Sequence, residues 1–238
     1  LKDIRNLLLH TGEKEFKAFG CNMWGPGLMV VNYSQSDLEK LYSNLENEVQ
    51  FIKKIKNKSD INVIDIGANL GLYSIAYGLQ PNVRVMSFEP CSQSFSFLSR
   101  NICENNISSV IAHPVGLYED DVDLPIGVPL SFYNYSILTR ILKFTDKRMS
   151  GCLSIYTQDP NAKIERFVAG DKFQAITDLS QLDLIKIDVE GAELPVLRGL
   201  SKTILVNKPL IRIELNSHSL QTADSSQSEI VGFLKDSG

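Results

Sequence analysis

The sequence predicts an α/β fold in which a doubly wound, mostly parallel sheet carries helices on both faces. From residue 61 onward, short apolar runs typical of buried strands alternate with segments of helical periodicity. Glycine-containing or acidic turns follow several of these runs, as expected where strands end at a ligand crevice. The predicted strands cover residues 61–66, 83–88, 110–117, 184–187 and 210–215.

The helices are predicted from apolar spacing and from capping residues. They cover residues 37–57, 72–79, 92–105, 192–200 and 230–235. Ser36 with Glu39, and Ser226 with Glu229, have the spacing of capping boxes for the first and last of these helices. Pro195 falls in the first turn of its helix, where proline is tolerated.

The chain divides into an extension and a main domain. Residues 1–59 predict an N-terminal extension with an irregular Gly/Pro segment and an amphipathic helix packed on the core, and residues 60–238 form the domain itself. Residues 127–167 lack a regular pattern and are expected to be an insertion, either a lid or a loop. Its aromatic residues could stack on sugars, and Arg140, Lys143, Lys147 and Arg148 could meet an anionic acceptor; equally, the aromatics could be core and the cations a solvated face.

Composition excludes several function classes. The 238 residues are 43% hydrophobic and 22% charged, with no apolar run long enough to span a membrane. A net charge of −4 argues against a nucleic-acid partner bound by broad phosphate neutralisation. The four cysteines form no C-x-x-C pair and are too sparse for a disulfide framework, which favours reduced thiols and a cytoplasmic location. Oligomeric state stays open.

The first motif, at residues 63–71, joins a strand to a helix. Gly67 and Gly71 let the backbone approach a ligand closely. Glu89, at the end of the next strand, could accept hydrogen bonds from a ribose diol. Asn69 replaces the middle glycine of a dinucleotide motif, and Asp65 would repel a pyrophosphate but attract a sulfonium or ammonium group. S-adenosylmethionine is therefore favoured over NAD, although an NAD-dependent oxidoreductase and a purely structural turn remain alternatives.

The second motif, at residues 183–193, places Lys186, Asp188 and Glu190 where a strand meets a helix. Acids in a helix's first turn also interact favourably with its dipole, but this explains Lys186 and Asp188 on a buried strand poorly. Because carboxyl ends of parallel strands share one edge, Asp188 is expected near Asp65, Glu89 and Glu214.

Residues 63–71, 88–90 and 186–193, in this order and separation, resemble the FkbM-type methyltransferase family over roughly residues 60–235. The resemblance implies a class I (Rossmann-like), S-adenosylmethionine-dependent O-methyltransferase of EC class 2.1.1. Its acceptor would be a hydroxyl of a sugar, glycan or natural product. A non-catalytic module that keeps the cofactor pocket is the alternative from another class.

The resemblance also implies site residues. Cofactor binding would fall to Asp65, Gly67, Asn69, Gly71, Glu89, Pro90, Gly116, Leu117 and Asp188. Asp188 is the first choice for the general base because it ends the strand beside the expected methyl position. Glu190, Glu214 and His218 follow as base candidates, and Lys186 is a further catalytic candidate. We assign no metal, although Asp188, Glu214 and Asn216 could offer oxygen ligands to Mg²⁺.

One departure from the class I pattern concerns the end of the chain. Such a sheet normally closes with an antiparallel strand pair after the fifth strand and its helix, but the sequence stops at Gly238. We therefore expect a truncated sequence, because a sheet without that pair would expose an edge.

Overall fold

A computed structural model describes residues 13–26, 34–127 and 153–237. In chain order the strands are β1 Glu13–Ala18, β2 Cys21–Pro26, β3 Ile61–Ile66, β4 Val83–Phe88, β5 Val110–His113, β6 Gly116–Tyr118, β7 Val122–Ile126, β8 Lys163–Ala169, β9 Leu184–Ile187 and β10 Leu210–Ile213. The helices are α1 Gln35–Lys56, α2 Leu72–Gly78, α3 Ser92–Glu104, α4 Gln174–Thr177, α5 Glu193–Gly199, α6 Ser201–Asn207, α7 Ser217–Thr222 and α8 Gln227–Asp236.

The central sheet has five strands in the order β10-β9-β3-β4-β5, and every neighbouring pair is parallel. The predicted α/β class and its parallel sheet are thereby confirmed. From β3 the chain continues to β4 and β5 on one side and later adds β9 and β10 on the other, so the strand order reverses between β3 and β9. Folds of this kind bind ligands in the crevice at the carboxyl ends of the strands beside such a reversal.

Both faces of the sheet are covered by helices. Val63 packs with Ile52 of α1 and Ile75 of α2 in one core cluster, whereas Ile64 packs with Leu197 of α5 and Ile230 of α8 in the other. Strands buried on both faces need apolar side chains at successive positions, because neighbouring residues point to opposite faces. The run Ile61–Ile66 meets that need everywhere except at Asn62 and Asp65.

The N-terminal extension contains more strand than predicted. Residues 13–26 form an antiparallel hairpin rather than an irregular segment. Its β2 is held to α3 by two hydrogen bonds between Asn101 and the backbone of Trp24, at 2.6 and 3.0 Å. The Arg100 guanidinium lies 3.6 Å from the Trp24 ring centroid. These long-range contacts give regular structure to a segment whose glycine and proline content predicted an irregular one.

The predicted capping box of Ser36 and Glu39 is wrong. Helix α1 begins two residues earlier, because Ser34 is the N-cap and its hydroxyl accepts a hydrogen bond from the Asp37 amide at 3.2 Å. Ser34 and Asp37 offer a similar capping signal two residues upstream. At the other end of the chain, the Ser226–Glu229 capping box is confirmed, and Pro195 lies in the first turn of α5 as predicted.

The predicted third strand, 110–117, is two strands in two sheets. Strand β5 ends at His113, and after Pro114, which has no amide hydrogen for a ladder, β6 joins a separate sheet of order β6-β8-β7. Strand β8 and the Gly127–Ser154 bridge show that the described ends of the expected 127–167 insertion take part in strand pairing. Arg140, Lys143, Lys147 and Arg148 lie outside the described residues.

Two general observations concern the described ranges only. None of their helices is long and apolar enough to cross a membrane. Cys21, Cys91 and Cys103 are free thiols, and Cys152 lies outside these ranges.

Two glycines in helices give a matched test of the packing. A Cβ at Gly199 would lie 1.8 Å from the Tyr118 carbonyl oxygen, whereas around Gly232 of α8 no described atom lies within 4 Å of such a Cβ. We expect Gly199→Ala to lower the free energy of unfolding by about 2–3 kcal/mol through overpacking. Gly232→Ala should raise it by about 0.5–1 kcal/mol because alanine favours helix. Urea denaturation measures both changes in the free energy of unfolding. Equal changes for the two variants would contradict the close contact between α5 and β6.

Candidate functional site

A cavity opens at the carboxyl ends of β3, β4 and β9, the edge that the sequence predicted. One end of its lining is polar and includes Asn69, Glu89 and Asp188. The other end is apolar, with side chains from the second sheet and the segment beside it: Leu117, Ile126, Leu153, Ile155 and Phe167. The cavity therefore suits a ligand with a flat apolar part joined to a polar part.

Glu89 is the buried carboxylate of the polar end. One of its oxygens accepts a hydrogen bond from the Asn69 amide at 2.8 Å, and the other accepts one from the Cys91 amide at 2.9 Å. Burial raises the pKa of Glu89 to about 7 despite these two bonds. Each carboxylate oxygen can accept more than one hydrogen bond, so both retain capacity for a ligand hydroxyl.

Two glycines allow the cavity walls to meet. Gly67 has a φ of +75°, and a Cβ there would lie 1.9 Å from the Asp188 carbonyl oxygen. A Cβ at Gly116 would lie 2.3 Å from the Phe167 ring. Both predicted glycine positions thus line the cavity and require the absence of a side chain. Gly71 instead begins α2, where a Cβ would lie 2.6 Å from Leu98, so its glycine serves packing against α3.

Asn69 occupies the turn between β3 and α2 in a left-handed conformation, with a φ of 50°. That conformation directs its backbone amide to Glu89. Its side-chain oxygen Oδ1 is buried and, among the described residues, meets no hydrogen-bond donor. A buried acceptor without a partner is costly, so this atom indicates where a ligand donor would be stabilised.

Lys186 is almost fully buried and forms the centre of a polar cluster beneath the turn. Its Nζ lies 3.2 Å from Asp65 Oδ1 and 3.4 Å from Asp188 Oδ2, and it donates to the Gly67 carbonyl at 3.1 Å. Burial alone would lower the pKa of Lys186, but the charges of Asp65 and Asp188 outweigh it and raise that pKa. The ammonium therefore stays protonated and cannot act as a base.

Asp65 does not line the cavity, although the sequence predicted it beside the cofactor. Its side chain is fully buried beneath α2, where it pairs with Lys186 and accepts a hydrogen bond from the Ser74 hydroxyl at 2.6 Å. The sequence analysis expected this carboxylate beside the charged groups of a cofactor. In the structure its charge is balanced inside the protein, so it supports the turn from below.

Two further hollows share Asp188 with the cavity. The first, which we call the β10 hollow, is lined by Tyr73, Lys186, Ile187, Asp188, Arg212, Ile213 and Glu214. The charge of Asp188, and to a lesser extent burial, raises the pKa of Glu214. The second, the α1 hollow, lies between the first turns of α1 and the β3–α2 turn.

The remaining predicted residues divide between the cavity and the surface. Pro90 and Glu190 line the cavity, and a Glu190 oxygen accepts a hydrogen bond from the Ser219 hydroxyl at 2.8 Å. His218 is exposed in the first turn of α7 and lies outside the linings of the cavity and both hollows. Asn216 Oδ1 accepts hydrogen bonds from the amides of His218 and Ser219 as the cap of α7. Within the described ranges no three His, Cys, Asp or Glu residues are grouped as metal ligands.

Of the apolar wall, the sequence predicted only Leu117. Ile126 and Phe167 belong to strands β7 and β8, which were not predicted, and Leu153 and Ile155 fell in the expected insertion. The sequence of β8 offers no clear alternation that would have revealed this wall, because the apolar Ile164 is exposed and Val168 is apolar between the buried Phe167 and Ala169.

Comparison with known proteins gives one consistent result. Residues 65–238 match the family model of the methyltransferase FkbM domain. "Methyltransferase 1" of Beauveria bassiana is 31% identical over 148 residues, which are 58% of this chain and 57% of that protein. "Methyltransferase sdnD" of Sordaria araneosa is 29% identical over 197 residues, covering 71% of this chain and 75% of that one.

Among solved structures, a crystal structure of methyltransferase FkbM from Methylobacillus flagellatus KT aligns with 74% of this chain and 37% of its own, at 17% identity and a TM-score of 0.45. The chain thus spans little more than half of the first relative's length and about a third of this structure's. The family match confirms the resemblance on which the sequence analysis relied.

The Lys186–Asp65 pair predicts that removing one partner destabilises the protein more than neutralising both. Lys186→Met should lower the free energy of unfolding by about 3–5 kcal/mol, because it leaves Asp65 buried and uncompensated. The double variant Asp65→Asn with Lys186→Met should be more stable than that single variant in urea denaturation. Lys172→Met, at the exposed pair with Asp120, is the control and should change the free energy of unfolding by less than about 1 kcal/mol. A double variant no better than the single one would contradict the pairing.

Proposed function

Because the chain belongs to the FkbM methyltransferase domain family, we propose that it transfers the methyl group of S-adenosylmethionine to a hydroxyl group of a sugar, glycan or natural product. The family match covers residues 65–238. The observation that carries the proposal is the buried Glu89 carboxylate, which faces an apolar-walled cavity at the carboxyl edge of the sheet.

The cavity fits the adenosyl part of this cofactor on its own chemistry. Glu89 offers acceptor capacity on both oxygens, which suits the two hydroxyls of a ribose. Leu117, Ile126 and Phe167 supply apolar walls for an adenine ring. NAD would place its pyrophosphate on a glycine-rich turn, and Asn69 replaces the middle glycine that such a turn normally has.

When bound, S-adenosylmethionine supplies a methyl group on a sulfonium that is already a good leaving group. Asp188 lines both the cavity and the β10 hollow. We therefore assign the β10 hollow to the acceptor and propose that Asp188 contacts the acceptor hydroxyl. In the transfer, the acceptor oxygen bonds to the methyl carbon while the carbon–sulfur bond breaks, and Asp188 takes the hydroxyl proton. Lys186 holds Asp188 in position and stays charged throughout.

Positioning should contribute more than proton transfer. Holding two reactants in line can supply about 7–11 kcal/mol, whereas a general base typically adds about 10²–10⁴-fold, or roughly 3–5 kcal/mol. The glycine turn, the cavity walls and the Lys186 cluster therefore carry most of the expected rate enhancement.

The test is binding followed by transfer. We expect calorimetric titration with S-adenosylhomocysteine to give a dissociation constant in the micromolar range, on the order of −8 kcal/mol, with no binding of NAD. Glu89→Ala should abolish binding of S-adenosylhomocysteine. Glu46→Ala, which removes an exposed acid of α1, should leave that binding unchanged. Tritiated methyl groups should then appear on a hydroxyl-bearing acceptor in a screen of glycans and polyols. Binding of NAD alone would overturn the proposal.

The pKa of Glu89 predicts a pH dependence. With a pKa of about 7 in the free protein, the carboxylate that accepts both ribose hydroxyls becomes protonated as pH falls. Affinity for S-adenosylhomocysteine should therefore drop about tenfold between pH 8 and pH 6. Glu89→Gln does not titrate and should show weaker binding that is flat over this range. A flat profile in the unaltered protein would contradict the assignment of Glu89 to the ribose.

A further inference from the structure

The α1 hollow joins the family domain to a helix outside it. Residues Asp37, Leu38 and Leu41 of α1 form one wall, and the opposite wall comes from the β3–α2 turn, α2 and β9: Gly67, Ala68, Asn69, Leu70, Leu72, Tyr73, Lys186 and Asp188. The family match begins at residue 65, so α1 precedes the matched domain.

The hollow is continuous with the cavity proposed for the adenosyl group. Gly67, Asn69 and Asp188 line both. A ligand that fills the cavity and extends past the β3–α2 turn would therefore enter the α1 hollow. For S-adenosylmethionine, that extension is the amino-acid end, with its ammonium and carboxylate.

Helix α1 is fixed firmly enough to serve as a wall. Its residues Leu45, Val49 and Ile52 are fully buried in the core. Glu48 accepts hydrogen bonds from Arg212 Nε of β10, at 3.1 and 3.2 Å, and from the Tyr77 hydroxyl of α2. These contacts tie the middle of α1 to an edge strand and to α2, and the buried Leu38 anchors its first turn.

The polar groups of the hollow select a cation. Asp37 and Asp188 are carboxylates, and Asn69 Oδ1 is a buried acceptor that meets no donor in the part of the chain the structure describes. Lys186 is already paired with Asp65 and Asp188. The two carboxylates and Asn69 Oδ1 thus favour a ligand that donates hydrogen bonds, which an ammonium group can do.

We propose that α1 completes the cofactor site, with Asp37 and Asn69 Oδ1 binding the α-ammonium of the amino-acid end of S-adenosylmethionine. This inference rests on the proposed function and adds to it a binding residue from outside the family domain. Asp37 also accepts a hydrogen bond from the Ser34 hydroxyl at 2.5 Å, which orients its carboxylate at the start of α1.

The experiment combines one substitution with truncated ligands. Titrations would use S-adenosylhomocysteine, an analogue lacking only the α-amino group, and methylthioadenosine, which lacks the whole amino-acid end. Asp37→Asn should weaken S-adenosylhomocysteine about fivefold or more and change the other two by less than about twofold, since only the first ligand carries the ammonium. Glu39→Gln, an equal charge change on the outer side of α1, should alter none of them.

The outcomes separate three explanations. Equal weakening of all three ligands, with a lower melting temperature, would mean that Asp37 only caps α1, and would overturn the inference. Unchanged S-adenosylhomocysteine affinity in Asp37→Asn would overturn it as well, while leaving the proposed function intact. If the unaltered protein bound no S-adenosylhomocysteine, the proposed function itself would fail, and the inference with it.

Discussion

The ion pair between Lys186 and Asp65 is the constraint on which the rest of the site depends. The two residues lie directly opposite each other on the central strands β9 and β3, with both side chains out of water. The same ammonium holds the Gly67 carbonyl and contacts Asp188, so it connects the two loops that leave these strands. Such a pair gains little net stability over apolar residues, but it fixes one arrangement, because removing either member strands a buried charge.

Glu89 shows how differently a second carboxylate is treated one strand away. It is held by two backbone amides, and among the described residues no cation forms an ion pair with it. Two neutral donors only partly offset the loss of hydration, so its pKa lies near 7. In the free protein this carboxylate therefore has too few hydrogen-bond donors, and hydroxyl groups of a ligand would stabilise its charged form. Adjacent strand ends thus carry one acid that stabilises the scaffold and one that favours a ligand.

The sequence predicted well what depends on local pattern and on strand ends. The parallel sheet, the position of the crevice and the places of Gly67, Glu89 and Asp188 follow from apolar runs and from the glycine or acidic residues after them, whereas Gly116 was expected only from the family resemblance. It failed where partners are remote in the chain. Nothing local reveals that Asp65 is neutralised by Lys186, that Trp24 orders a hairpin through Asn101, or that Phe167 pairs opposite Gly116. Those facts depend on tertiary packing, which a single sequence does not display.

The Gly127–Ser154 bridge has a consequence for how such a protein can diverge. It pairs Gly127, the residue after β7, with Ser154, which precedes β8, so the two ends of the intervening segment are held together beside the second sheet. Closing a longer loop between fixed ends costs little, about 0.6 kcal/mol for each doubling of its length. Length and composition there can drift at almost no cost to the sheet, while Ile126 and Leu153, next to the bridge, keep their places in the cavity wall. Relatives could therefore differ widely in the length and sequence of this one segment and retain the same cavity wall.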